Sequence, residues 1–342
     1  MITVLKKGML TTVQDLGRAG FQRYGMPSSG AMDEYSLRLA NILTGNPQEE
    51  AVLEFTFAGP TLRFETDVIF AVTGGRFDLR LNGEPVPMNT AVQACAGDEL
   101  VTGMAEAGMR GYIAFAGGLD LPLVMGSRST GLKAKIGGLD GRALQAGDTL
   151  ALRETCASLP NMEKRTAPAA LLRKFPETLT VHFTLGPQDD LFSTEGKRTF
   201  QAGRYLLSQQ SDRMGFRLEG PAVEKAEGTD GNIISDGICF GAIQVTNGQP
   251  IVMMADRQTT GGYPKIGCVI RADLPDLAQR RPGDAIRFRA ISPAGAQQQY
   301  IRYLKALDKL AAKLNRQAAV IDSGFTLRAG ERICRVSIEE IQ

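Results

Sequence analysis

Glycine limits the fold of this chain more than any other feature, because it recurs between short runs of apolar residues. The sequence of 342 residues contains 39 glycines. Short β-branched or alternating runs bounded by turn-forming residues are typical of strands. Five such runs are predicted to be strands, at 68–73, 112–116, 179–185, 251–255 and 268–272. The sequence therefore predicts a mainly β protein with few helices.

Helical periodicity is clear in only two places. Residues 34–43 follow a Pro-Ser-Ser-Gly turn and stop just before Gly45, which favours a helix there. Residues 294–315 carry one apolar stripe at helical spacing, which predicts an amphipathic helix near the C-terminus. A short helix is also expected around 168–175.

The region between 153 and 177 lacks the alternation seen on either side of it and is interpreted as a connector. We therefore expect an N-terminal β-rich half at 1–155, a connector at 156–177 and a C-terminal β-barrel half at 178–292. The amphipathic helix and a tail would follow at 293–342.

Charge and histidine content exclude several classes of function. Lys and Arg number 39 against 37 Asp and Glu, and no basic cluster stands out, so a nucleic-acid partner is not expected. The only histidine, His182, lies on the polar side of a predicted strand, as a surface or edge residue would. Catalysis is therefore expected to depend on carboxylates, Lys, Arg, Tyr and hydroxyl groups.

The sequence lacks the common cysteine, nucleotide-binding and membrane-spanning motifs. The five cysteines include no C-x-x-C pair, which argues against a disulfide framework and a zinc ribbon, and no metal is expected. No P-loop or G-x-G-x-x-G motif occurs. The longest apolar runs fall far short of the roughly 20 residues that cross a bilayer, and no signal peptide begins the chain, so a cytoplasmic protein is expected.

The densest polar segment runs from 256 to 265, between two predicted strands. Its Arg257 and Lys265 could hold an anion, its Asp256 could move a proton, and its two glycines allow close backbone approach. A long solvated hairpin is the alternative interpretation. The candidate site residues in this segment are Asp256, Arg257, Gln258, Thr259, Thr260, Gly261, Gly262, Tyr263 and Lys265.

Three further turns are weaker candidates. Asp212 and Arg213 in the segment 211–215, and Ser235 and Asp236 in 235–237, are expected to converge with the main loop or to form ordinary Ser-Asp turns.

The third turn, Ser28-Ser29-Gly30, has two interpretations. It could be an anion-binding or substrate-binding site before the first helix, or Ser29 or Asp33 could simply cap that helix. The basic, hydroxyl-rich segment 126–135 is expected to be a solvated face.

Together these motifs resemble the biotin-dependent carboxyltransferase and allophanate hydrolase subunit 2 family, and within it the 5-oxoprolinase branch. The likeness extends from about 2 to 288. The motifs that carry it are 11–18, 29–33, 126–130, 211–215 and 255–265. The family often has Asp where Gly131 stands and Pro where Thr246 stands, which puts fine substrate specificity in question.

The resemblance implies a cyclophilin-like β-barrel core, with two β-rich halves here, and an obligate partner of the smaller subunit-1 type. It implies ATP-dependent opening of 5-oxoproline to glutamate, with a third, lactam-opening subunit and with ATP shared with or supplied by a partner. Arg257 and Lys265 would bind negatively charged groups of the reactants, and Asp256 or Asp212 would transfer protons. The other candidate residues would bind substrate.

Two alternatives stay open at this point. One is carboxyl transfer, as in urea carboxylase, with biotin carried on another chain. The other is a non-catalytic antagonist of a kinase-inhibitor protein.

Overall fold

The computed structural model describes residues 1–156, 158–229 and 231–316, together with the backbone of two strands, β19 (Phe325–Ala329) and β20 (Arg332–Val336), which pair with each other. The rest of the expected C-terminal tail, and the side chain of Cys334, lie outside the described residues. No helix in the described part of the chain is long and apolar enough to cross a membrane.

The first half forms a nine-stranded antiparallel sheet in which β8 is central. Its strands are β1 (Ile2–Lys6), β2 (Leu10–Gln14), β3 (Val52–Thr56), β4 (Thr61–Phe64), β5 (Val68–Leu81), β6 (Glu84–Pro85), β7 (Ala91–Ala94), β8 (Glu99–Phe115) and β9 (Thr149–Leu150). The order is β2-β3-β8-β4-β1-β9, and β5 joins β8 to β7 and β6. A core rich in phenylalanine packs behind it, including an edge-on pair of Phe55 and Phe77 with ring centres 4.7 Å apart.

The strands β5 and β8 are much longer than the predicted segments 68–73 and 112–116. Their pairing shifts register between Gly74 and Leu79, which indicates β-bulges. Both strands therefore continue through the glycine-containing segment instead of ending there. At Gly74 the backbone has φ +106°, and an added Cβ would lie 2.4 Å from the carbonyl oxygen of Arg110. Glycine therefore lies inside these strands, where the sequence analysis expected it to end them.

The second half is a closed seven-stranded barrel in the order β10-β17-β14-β15-β12-β11-β18. Its strands are β10 (Thr178–Leu185), β11 (Tyr205–Leu207), β12 (Gly215–Glu219), β14 (Ala242–Thr246), β15 (Gln249–Met253), β17 (Lys265–Val269) and β18 (Ala285–Ala290). Two short strands, β13 (Asp236–Gly237) and β16 (Thr260–Gly261), pair outside it. The first and last barrel strands run parallel and close the barrel.

Four helices complete the described structure: α1 (Glu34–Leu43), α2 (Thr194–Ala202), α3 (Leu274–Ala278) and α4 (Pro293–Asn315). Asp33 caps α1 by accepting a hydrogen bond from the backbone N–H of Ser36 at 2.9 Å, which selects Asp33 between the two expected caps. The polar helix α2 was not predicted, and its Phe200 stacks on Phe288 inside the barrel with ring centres 4.5 Å apart.

The mainly β fold with a barrel core and a C-terminal helix is confirmed. Three local predictions need correction. The helix expected around 168–175 is only a 3-10 turn at Ala169–Leu171, which follows Pro168 and ends at Leu172, where the backbone is extended. The strand expected at 268–272 is β17, which ends at Val269 because Ile270 begins a turn. The domain boundaries stay a prediction, although sheet strands lie within 2–150 and barrel strands within 178–290.

His182 does lie on the polar side of its strand, but it is tied to a neighbour. Its Nδ1 is 2.8 Å from a carboxylate oxygen of Asp273, which also accepts the backbone N–H of His182. The half-buried histidine thus joins β10 to the residue that precedes α3.

A buried arginine in the connector holds the ends of two helices. Arg165 donates to the carbonyl oxygens of Ile42 and Leu43 at the end of α1 and to that of Leu314 at the end of α4. It also donates to the side chain of Asn315 at 2.6 Å. Carbonyls in the last turn of a helix lack partners and carry partial negative charge, so a cation there stabilises both helices.

We expect Arg165→Ala to lower the free energy of unfolding by about 2–4 kcal/mol, because several charge-assisted hydrogen bonds are lost together. Urea denaturation followed by circular dichroism measures this change. The adjacent, exposed Lys164 provides the control, since Lys164→Ala should change stability by less than about 0.5 kcal/mol. Equal effects of the two variants would contradict this role for Arg165.

Candidate functional site

Five of the predicted site residues lie along the seam between the two halves, where Arg213 is the central charged residue. This residue precedes β12 of the barrel, and its guanidinium reaches into the sheet half. It forms ion pairs with Glu54 of β3 and, at 2.9 Å, with Asp256, and donates to the carbonyl oxygen of Gly30 at 2.7 Å. Burial alone lowers the pKa of Arg213, but Glu54 and then Asp256 outweigh it and raise the pKa above the usual value.

The network continues from Glu54 into the sheet half. The second carboxylate oxygen of Glu54 accepts the backbone N–H of Met32 and the hydroxyl of Tyr112, both at 2.8 Å. The same hydroxyl accepts the N–H of Asp33, the cap of α1. Burial, followed by the charge of Glu54, raises the pKa of Tyr112 well above its usual value, so Tyr112 stays protonated and donates.

Asp256 and Arg257 begin the predicted loop and are both occupied by protein partners. Asp256 accepts from Arg213 with both carboxylate oxygens, at 2.9 and 3.3 Å. The buried Arg257 donates to the carbonyl oxygens of Ile238 and Met254 and to the hydroxyl of Ser28 at 3.2 Å. Burial lowers the pKa of Arg257.

The other end of the loop is held by an ion pair. Lys265 is buried, and its Nζ lies 3.0 Å from Asp236. This bond, followed by the one from the N–H of Gly237, lowers the pKa of the exposed Asp236. The short strands β13 and β16 pair beside it, and the carbonyl of Thr259 accepts the N–H of Ile238, so the loop is a structured flap.

The glycines of this flap approach protein closely. A Cβ on Gly261 would lie 2.6 Å from the side chain of Ile238 and 2.8 Å from the amide of Gln244. On Gly262 it would lie 3.3 Å from the carbonyl of Ile233, and the hydroxyl of Ser235 is 3.7 Å away. The packing of the flap therefore explains the need for small residues at both positions without a ligand.

A cleft of about 410 Å³ opens on the outside of the barrel over β12, β14 and β15. Three of the predicted site residues line it, namely Asp212, Gln258 and Tyr263. Asp212 uses one carboxylate oxygen to accept the N–H of Met214 and Gly215, and no described residue donates to the other. An exposed carboxylate with a free oxygen therefore faces the cleft.

Several cleft residues were missed by the sequence analysis. Arg217 is an exposed position of the alternating strand β12, and its charge forms no ion pair with any described residue. The ammonium of Lys133, on a segment of the sheet half, contacts the sulfur of Met214 at the cleft. Lys133 itself does not line the cleft; the missed lining residues besides Arg217 are Gln210, Gln244, Thr246, Asn247, Ile251 and Met253.

Alternation along β12 could have pointed to Arg217. Lys133 lies in the basic segment 126–135 that the sequence analysis singled out, but no local signal could have indicated its contact with Met214, 81 positions away. Thr246, one of the two departures from the family pattern, also lies in this cleft.

The segment 126–135 is a solvated face only at 133–135, which is exposed, and the prediction is wrong for the first part of the segment. Ser127, Ser129 and Thr130 are fully buried. One oxygen of Asp15 accepts both serine hydroxyls, at 2.6 and 2.5 Å, and the other accepts the N–H of Arg128 at 2.6 Å. A buried carboxylate needs such donors, which is why the segment folds inward.

The Ser28-Ser29-Gly30 turn is part of the seam and does not cap α1. Ser28 bonds Arg257, and the carbonyl of Gly30 bonds Arg213. Ser29 is buried with φ +51°, an unusual backbone conformation for serine. The predicted residues thus fall into a seam group (Ser28, Ser29, Arg213, Asp256, Arg257), a flap group (Ser235, Asp236, Thr259, Thr260, Gly261, Gly262, Lys265) and a cleft group (Asp212, Gln258, Tyr263).

Comparison with known proteins gives the family. The model of the carboxyltransferase domain, subdomains A and B, matches residues 24–290. The chain belongs to the carboxyltransferase-domain family. Among relatives of this carboxyltransferase-domain protein, a 5-oxoprolinase subunit of Escherichia coli is 40% identical over 315 residues, covering 89% of this chain and 97% of the relative.

Longer relatives contain the same domain. Urea amidolyase of Lachancea kluyveri is 36% identical over 312 residues, which cover 86% of this carboxyltransferase-domain protein and 17% of the relative. The crystal structure of the K. lactis urea amidolyase superimposes with a TM-score of 0.85 at 34% identity, covering 90% of this chain and 20% of that chain. The family resemblance expected from the sequence is confirmed.

We expect Arg213→Ala to lower the free energy of unfolding by about 3–5 kcal/mol, because the buried Glu54 and the partly buried Asp256 would lose their shared counter-charge. Chemical denaturation at neutral pH measures it. Arg287 is an exposed arginine on β18, and Arg287→Ala serves as the matched control with little expected change. A near-neutral Arg213→Ala variant would show that the seam does not depend on this residue.

Proposed function

We propose that this chain is a subunit of an ATP-dependent 5-oxoprolinase that, with partner subunits, converts 5-oxo-L-proline to L-glutamate. The observation that carries the proposal is the 40% identity to the Escherichia coli 5-oxoprolinase subunit along 97% of that relative. The urea amidolyase match, in contrast, covers only 17% of its relative, so most of that protein has no counterpart here. The cytoplasm, where ATP is available, is the proposed location.

We propose the cleft over β12, β14 and β15 as the substrate site. 5-Oxoproline combines a lactam with a carboxylate, and the cleft offers partners for both. Arg217 and Lys133 supply positive charge for the carboxylate. The amide of Gln258 supplies a donor and an acceptor for the lactam. Gln244, whose amide nitrogen donates to the carbonyl of Tyr263, and Tyr263 itself also line the cleft.

The chemistry suits carboxylates and cations better than histidine. A lactam carbon is a poor electrophile, and phosphorylation of the lactam oxygen makes it open to attack. The free oxygen of Asp212 is the proposed proton acceptor. Arg257 and Lys265 do not line the cleft and are bonded to protein groups, so they are proposed to act only through their positive charge behind it.

Asp256 has a different proposed role from the proton transfer first expected of it. Both of its oxygens are bonded to Arg213, so it is proposed to position the seam. The remaining flap and seam residues are proposed to support the cleft without contacting substrate. Ser28 accepts a hydrogen bond from Arg257, and Asp236 accepts one from Lys265.

ATP contacts are proposed to come mainly from a partner subunit. Arg257 and Lys265 already bond protein groups, and the sequence contains no P-loop, so neither cation is free to hold a triphosphate. The proposed partners are a subunit-1-type protein of the same family and a third, lactam-opening subunit. The isolated chain is accordingly proposed to be inactive.

Carboxyl transfer is the second candidate, and the superposition on urea amidolyase favours it specifically. In that case the cleft would bind the ureido ring of a biotin that is carried by another chain. It would also bind the substrate that accepts the carboxyl group. The two candidates differ in whether a biotinylated protein is required.

We expect ADP release by this chain, mixed with its subunit-1 partner and the lactam-opening subunit, to rise on addition of 5-oxoproline. Avidin should not change the rate, because the proposed reaction needs no biotin. Omitting each subunit in turn is the control. No stimulation by 5-oxoproline with all subunits associated would contradict the proposal, and avidin-sensitive turnover with a biotinylated carrier would favour carboxyl transfer.

We expect Asp212→Asn to lower kcat at least about tenfold with KM nearly unchanged, because asparagine keeps the turn but accepts no proton. Steady-state ADP release by the assembled subunits, at varied 5-oxoproline, measures both constants. Asp140→Asn is the matched control, since Asp140 is highly exposed in the sheet half. Unchanged turnover of a folded Asp212→Asn variant would remove Asp212 from the mechanism.

A further inference from the structure

Two cysteines meet beside the flap. Cys239 follows Ile238 in the turn before β14, and Cys268 lies on β17. Their sulfur atoms are 3.4 Å apart. Cys239 is exposed and Cys268 is half-buried, so a small reagent can reach the first sulfur from solvent while the second lies behind it.

The surroundings of Cys239 favour its thiolate. Arg257 bonds the carbonyl oxygen of the preceding Ile238, and its guanidinium carbon lies 5.5 Å from the ring centre of the following Phe240. The positive charge is therefore flanked by both sequence neighbours of Cys239. The hydrogen bond from Cys268 and then the charge of Arg257 lower the pKa of Cys239, and the thiolate is the reactive form.

The other cysteines of the described chain lack this arrangement. Cys95 is exposed and makes no contact with another thiol of the described residues. Cys156 bonds the carbonyl oxygen of Ser158 at 3.1 Å. An exposed thiol with a second thiol behind it therefore occurs, within the described residues, only at Cys239 and Cys268.

We propose that Cys239 and Cys268 form a thiol pair that a hydroperoxide, such as hydrogen peroxide, oxidises reversibly to an intramolecular disulfide. The thiolate of Cys239 attacks one peroxide oxygen, the O–O bond breaks, and a sulfenic acid and hydroxide form. The sulfur of Cys268 then attacks the sulfur of Cys239, the S–O bond breaks, and the proton of Cys268 leaves with the hydroxyl group as water. Two thiols are oxidised, and the peroxide is reduced.

The movement needed is small. A disulfide requires the sulfurs to approach from 3.4 Å to about 2.05 Å, well within the range of side-chain rotation and a slight backbone shift. The bond would join the segment that carries Ile238, an acceptor of Arg257, to the strand that carries Lys265. Oxidation would therefore cross-link the base of the flap and remove the thiolate that faces Arg257.

The test is a titration of the folded chain with hydrogen peroxide, followed by alkylation and peptide mass analysis without reduction. We expect the loss of two free thiols per chain, a cross-linked peptide pair containing Cys239 and Cys268, and full reversal by dithiothreitol. Cys95→Ser is the matched control and should still form the cross-link. In Cys268→Ser no cross-link should form, and dimedone should label Cys239 as a sulfenic acid.

Two results would overturn the proposal. One is peroxide consumption by Cys95 or Cys156 while Cys239 and Cys268 stay free. The other is oxidation of Cys239 to sulfinic acid without a cross-link in the unaltered chain. Because the readout is a thiol count and a peptide mass, it needs no substrate or partner, and its failure is distinguishable from failure of the proposed 5-oxoprolinase activity.

Discussion

The fold depends on one buried cation shared by two carboxylates from different halves of the molecule. Arg213 comes from the barrel, Glu54 from the sheet, and Asp256 from the start of the flap. Removing three charged groups from water is costly unless each finds its partners, so the halves must meet in one relative position for the seam to be stable. Tyr112 bonds both Glu54 and Asp33, the cap of α1, so the same network also positions the first helix.

Residues at this seam and in the neighbouring flap resemble catalytic residues by type but are used in holding the structure together. The loop 256–265 has the composition of a catalytic loop, yet its first two residues are bonded to protein and its last is paired with Asp236. The side chains with free capacity, Asp212 and Arg217, lie on the outer face of the barrel. We therefore regard the flap as the support and the neighbouring cleft as the proposed reacting surface.

Local signals account for what could be predicted from the sequence. The helix α1 was predicted from the turn before it and from Gly45 after it, and α4 from its apolar stripe, so both signals were local. The long strands were not, since their glycines occupy bulges whose partner strand is distant in sequence. Likewise, the burial of Ser129 depends on Asp15, 114 positions away, and Arg213 meets Glu54 across 159 positions. Such pairings are set by tertiary structure and leave no local pattern.

The connector holds the end of α4 beside the end of α1. Arg165 holds the last carbonyls of α4 beside the end of α1, and Asn161 of the same connector donates to the carbonyl of Leu314 as well. The connector therefore couples the last helix to the first, and loss of either helix would leave donors of the buried Arg165 without acceptors in the interior.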